Sequence, residues 1–122
     1  MAKVYSVKTD SGSSELPITN GFYYTDVMNK GHEAGTFAIA FYDVNGDIVT
    51  PTGGTITTAM EIIDGQWHGP SSGANPISAI DCGTDGAYEI QAYNGPATRG
   101  RITLNGIAGV DIDHVKAEFW RD

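Results

Sequence analysis

The sequence predicts an all-β, antiparallel fold, a β-sandwich or jelly-roll-like single domain over residues 1–122 with short strands and tight Asn-Gly turns. Three observations predict it. Apolar residues alternate with a period of two, which sorts side chains onto the two faces of a strand. Asn-Gly pairs recur at 20-21, 45-46, 94-95 and 105-106, and such pairs favour the positive φ angles of hairpin turns. No stretch keeps a 3.6-residue period over the roughly 11 residues that identify a helix; at most, residues 26–33 hold a helical turn.

Taken in chain order, residues 4–8 and 22–25 read as the first strands. Residues 1–20 form either a first strand with a loop or a first strand with an extended arm hinged at Ser11–Ser14. In Thr36-Phe37-Ala38-Ile39-Ala40-Phe41-Tyr42, Phe37, Ile39 and Phe41 share one face, with Ala38 and Ala40 on the other. Asn45-Gly46 then turns this strand into a hairpin with residues 47–50. Residues 55–63, 77–80 and 101–104 carry the Thr and Ile of a pleated surface. Residues 88–93 set Tyr88, Ile90 and Ala92 against Glu89, Gln91 and Tyr93. Residues 114–120 set Val115, Ala117 and Phe119 inward against Lys116, Glu118 and Trp120.

Composition narrows the function. Lys and Arg number 7 against 15 Asp and Glu, for a net charge of −8. A nucleic-acid binder needs cations to displace condensed counterions, and docking on an anionic membrane needs them too, so neither partner is expected. The N-terminus has no apolar h-region and no run approaches the roughly 18 apolar residues of a membrane span. One cysteine excludes an internal disulfide and a multi-thiolate zinc site.

Few residues suggest chemistry. Asp43-Val44-Asn45-Gly46-Asp47 resembles the opening of a calcium loop, but an EF-hand needs Gly sixth and Glu twelfth. Those positions are Ile48 and Gly54, so the segment reads as a turn. Asp81, Asp85, Asp111 and Asp113 are the weak calcium candidates; no metal or other cofactor is expected. Cys82 has no local base, and Asp81 beside it opposes a thiolate, so it reads as a buried structural residue. Gly-x-Ser-x-Gly, His-Glu-x-x-His and P-loop signatures are missing, and the chain is expected not to be an enzyme. Among the aromatics, Trp67 follows the turn Asp64-Gly65-Gln66 and either caps the core or stacks on a ligand. Trp120 faces outward on the last strand.

The segments Gly54-Thr55-Ile56-Thr57, Asp64-Gly65-Gln66-Trp67, residues 99–111 (RGRITLNGIAGVD) and residues 114–121 (HVKAEFWR) together carry a resemblance. Over roughly the C-terminal half, the chain resembles small β-sandwich accessory proteins of tailed-phage virions. It departs from them in having Glu61-Ile62-Ile63 before the Asp-Gly turn and in the longer Asp111-Ile112-Asp113 turn. The resemblance implies a non-enzymatic structural subunit, a capsid decoration (cement) or tail- or fibre-associated protein. It also implies a virion location after synthesis in the host bacterial cytoplasm, and a homo-oligomer, favouring a trimer, that binds the major capsid protein or a tail component. Arg99, Arg101, Trp120 and Arg121 are the interface candidates, because Arg pairs bidentately with carboxylates and exposed Trp anchors interfaces. The alternative is a carbohydrate-binding or lectin-like receptor module. Trp67, His68, Tyr88 and Tyr93 would then stack on a glycan, aided by calcium.

Overall fold

The computed structural model describes residues 3–28, 34–63, 65–69, 75–82, 89–94 and 97–121. The strands are β1 (Lys3–Lys8), β2 (Gly21–Thr25), β3 (Ala34–Tyr42), β4 (Gly53–Ile63), β5 (Gln66–His68), β6 (Ile77–Ser78), β7 (Glu89–Asn94), β8 (Arg99–Ala108) and β9 (His114–Arg121). A 3-10 turn at Ala79–Cys82 is the helical element among the described residues. Every pairing is antiparallel, in the order β5-β4-β8-β2-β1-β9-β3-β7, with β6 also on β4. The all-β antiparallel class is therefore the one the alternation predicts.

The sheet is continuous because β1 serves two neighbours. Its first four residues pair with β9 (Val4 opposite Trp120), and its last two pair with β2 (Val7 opposite Thr25). The sheet curls about this strand, bringing Phe37 of β3 against Gly100 of β8. Phe37, Ile39 and Phe41 join Val115, Ala117 and Phe119 from β9 and Ile56, Met60, Ile102 and Leu104 from β4 and β8 in one buried core. The Phe37 and Phe119 rings meet at 4.9 Å with a 52° tilt, a favoured aromatic geometry.

Residues 9–20 lie along this domain. Leu16 is fully buried and exchanges two 2.9 Å backbone hydrogen bonds with Val115. The Ser11–Ser14 stretch is closed by Thr9 N–H donating to Ser13 O and Gly12 N–H donating to Thr9 O, both 2.9 Å. Of the two expected alternatives, residues 3–20 take the strand and a packed loop, because an apolar side chain tethers the segment.

Three further segments differ from expectation. The turn at Asn45-Gly46 forms, with Gly46 at φ +86°, but residues 47–50 make only a single bridge, Tyr42 to Ile48. The Asp43 carboxylate explains this: Oδ1 accepts the Asn45 and Asp47 amides at 2.8 and 3.0 Å, holding the backbone in a local turn. Residues 77–80 give two strand residues and then enter the 3-10 turn. Asn105-Gly106 does not end a strand. Instead β8 runs on to Ala108 through a bulge opposite Gly53 and Thr55. Gly54 and Gly106 take positive φ there, and a Cβ on Gly54 would stand 2.7 Å from Ile107 Cα. Residues 26–28 are not helical; the rest of the 26–33 segment is outside the described residues.

Candidate functional site

Alternation along β8 turns Gly100, Ile102 and Leu104 inward and leaves Arg99, Arg101 and Thr103 on the outer face. Register then supplies their company. Arg101 stands opposite Tyr24 of β2 and Ala59 of β4, and Arg99 stands opposite Glu61. After Gly65, at φ +80°, the chain folds back as β5 and sets Trp67 opposite Glu61. The small Ala59 leaves room for the indole beside Arg101.

The result is an interleaved stack of cations and rings. The Arg101 guanidinium lies 4.4 Å from the Trp67 ring centroid and 4.9 Å from that of Phe22. Arg99 lies 4.5 Å from Tyr24 and 5.4 Å from Trp67, and Tyr24 meets Trp67 at 5.7 Å. Each such cation–ring contact contributes about 0.5–1 kcal/mol at exposed sites. Phe22 remains 56 % exposed at the edge of the stack.

The two arginines differ electrostatically. Glu61 Oε2 accepts the Gly65 amide at 2.9 Å, and Oε1 lies 3.5 Å from Arg99 Nε. The Gly65 hydrogen bond, and secondarily the Arg99 charge, hold the Glu61 carboxyl below its ordinary value against the opposing effect of burial. Arg99 is therefore partnered. Arg101 makes no ion pair or hydrogen bond with any described residue; its buried Nε, like those of Arg99 and Arg121, has no hydrogen-bond acceptor. Among the described residues, its charge is held by ring faces.

Of the four expected interface residues, Arg99 and Arg101 come together here. Trp120 is apart, on the outer face of β9, 44 % exposed beside the exposed Val4. Arg121 is a correction. It shares the inward face of Val115, Ala117 and Phe119, is 3 % exposed, and donates from Nη1 to the Ala97 carbonyl at 3.1 Å. Lying in the core, it presents nothing to a partner.

The glycan-stacking set is not assembled. Trp67 joins the arginine stack and His68 is exposed on β5. Tyr93 lies on β7, at the other end of the pairing path, and is buried. It faces inward because Gly35 of β3, opposite both Tyr93 and Arg121, lets the two side chains share the interior. Tyr88 lies outside the described residues, as does Asp85.

Asp111 and Asp113 do meet other carboxylates, though not Asp81. With Asp43, Val44 and Val110 they line a cleft of about 330 Å³. Glu15, Asp113 and His114 form the one group among the described residues whose ligand atoms lie within 4.8 Å of one another. The His114 ring stacks on Tyr42, and its Nδ1 is 2.9 Å from Asp113 Oδ2. Cys82 is fully buried, its Sγ 3.7 Å from the Ser78 carbonyl.

No local pattern in the sequence singles out Phe22 and Tyr24. Their spacing of two matches that of Arg99 and Arg101, but only the β2–β8 register shows that the pairs share a face. No helix among the described residues is long and apolar enough to cross a membrane. No protein family, curated protein or solved structure matches the chain, so the likeness to virion proteins rests on the quoted sequence segments alone.

Proposed function

We propose that this chain is a non-enzymatic assembly protein of a tailed-phage virion, a capsid decoration or tail-associated subunit, that docks through its arginine–aromatic face. The observation that carries the docking is Arg101, held between Phe22 and Trp67 without a carboxylate among the described residues. Trp, Tyr and Arg dominate interface hot spots. A guanidinium already fixed against rings loses little freedom on pairing with a partner's carboxylate. The virion setting comes from the resemblance in residues 55–121. A net charge of −8 suits a subunit that stays soluble at high copy number and avoids packaged DNA.

The test is co-sedimentation with tailed-phage capsids and tails that lack the chain, together with the temperature at which those particles disrupt. Binding that raises this temperature, and is lost in Arg101→Glu, is the expected result. The absence of both co-sedimentation and stabilisation overturns the proposal, and a glycan array with and without calcium then separates out the lectin-like alternative.

A further inference from the structure

Resting on that docking reading, we infer that the acceptor of the Arg101 face is the acidic cleft of a second copy of this chain, in a head-to-tail contact. The complement is present on the molecule itself. At the far end of β8, Asp43, Asp111 and Asp113 line a cleft flanked by Val44 and Val110, which are 79 % and 95 % exposed. Asp111 makes no hydrogen bond or ion pair with any described residue, as Arg101 makes none at its own end. Each surface thus pairs an unmatched charge with an exposed apolar side chain: Arg101 beside Phe22, Asp111 beside Val110.

The two surfaces cannot satisfy each other within one chain. Arg101 to Ala108 is strand, and its seven residue steps span roughly 23 Å at about 3.3 Å each. Between copies, the cleft admits a guanidinium, and Asp43 has acceptor capacity left, since a carboxylate offers about four lone-pair sites. The overall −8 does not prevent this. Repulsion between distant charges is screened beyond roughly 8 Å at physiological salt, whereas a pair inside a contact is screened much less. A heterologous contact of this kind repeats, closing into a ring such as a trimer or running on as a filament.

The experiment is light scattering across a concentration series up to millimolar, on the full chain and on Arg101→Glu and Asp111→Lys, with circular dichroism to check folding. The wild type self-associates. Each variant alone associates roughly thirtyfold or more weakly, the low end of the cost of losing one partner of an interfacial charge pair. Mixed in equal amounts, the variants re-associate, because one intact cleft and one intact arginine face remain and the two reversed charges also attract each other. If Arg101→Glu does not fold, Arg101→Gln takes its place in the mixture. A wild type that stays monomeric, an arginine variant that assembles like wild type, or a mixture no more associated than its components each overturns the inference. A monomer that still binds particles through Arg101 leaves the docking reading standing. An assembling chain that ignores particles removes the virion reading alone.

Discussion

Gly100 of β8 lies directly beneath Phe37 of β3: a Cβ at position 100 would stand 2.9 Å from Phe37 Cζ and 3.3 Å from Met60 Sδ. This contact joins the two limbs of the curled sheet. It also explains why a glycine interrupts a strand between two outward arginines, since the inner face has no space for a side chain.

Gly100→Ala should therefore destabilise the fold by about 1–3 kcal/mol, the usual cost of forcing atoms into a filled core. Urea unfolding checks it. Gly46, whose added Cβ would meet nothing within 4 Å, supplies a comparison in which only backbone strain acts. A Gly100→Ala chain as stable as wild type would mean the limbs are not in contact.

The arginine stack should behave as an energetic unit. A double-mutant cycle on Arg101→Ala and Trp67→Ala should give a coupling of about 0.5–1 kcal/mol, the worth of one cation–ring pair at a partly exposed site. Tyr24→Leu leaves Arg101 in contact with Trp67 and should preserve most of that coupling. The readout is equilibrium unfolding of the four chains in the cycle.

How far the sequence makes this legible depends on the range of the interaction. The β3 and β9 faces follow from local alternation, and the inward positions of Phe37, Ile39, Phe41, Val115, Ala117 and Phe119 are as expected. The same alternation, continued one residue past Trp120, turns Arg121 inward. Its charge pulled the expectation the other way, but a carbonyl partner at Ala97 makes burial tolerable. Asn105-Gly106 misleads because a bulge and a turn ask for the same positive φ, and only pairing with Gly53 and Thr55 distinguishes them. The site depends on register between β2, β4, β5 and β8, which no local pattern encodes.

Acid should weaken the same corner of the molecule. The Glu61 carboxyl is held below its ordinary value of 4.5, chiefly by the Gly65 amide. A depressed acid stabilises the fold fully above the unfolded value and loses that contribution as pH falls through the folded value. Stability should thus decline below about pH 4.5, with β5 and Trp67 loosening from β4. The Glu61→Gln chain should show a shallower acid limb, read from thermal unfolding between pH 3 and 7. Parallel acid limbs in the two chains would exclude Glu61 as the source.

At the alkaline end the relevant group is Tyr93. Burial raises its hydroxyl above the ordinary value of 10.0, and the nearby Arg121 charge partly offsets that rise. A raised pKa means that the folded state holds the proton after the unfolded chain has released it. The contribution to stability is complete below pH 10 and is lost as pH rises through the folded value. Ultraviolet titration should accordingly show a late tyrosine step above pH 10, and Tyr93→Phe should remove it. Arg121→Gln removes the offsetting charge, so the late step should move still higher, with lower stability overall because the buried donor to Ala97 is lost. A late step that stays in place without Arg121 would show that the two side chains do not share the interior across Gly35.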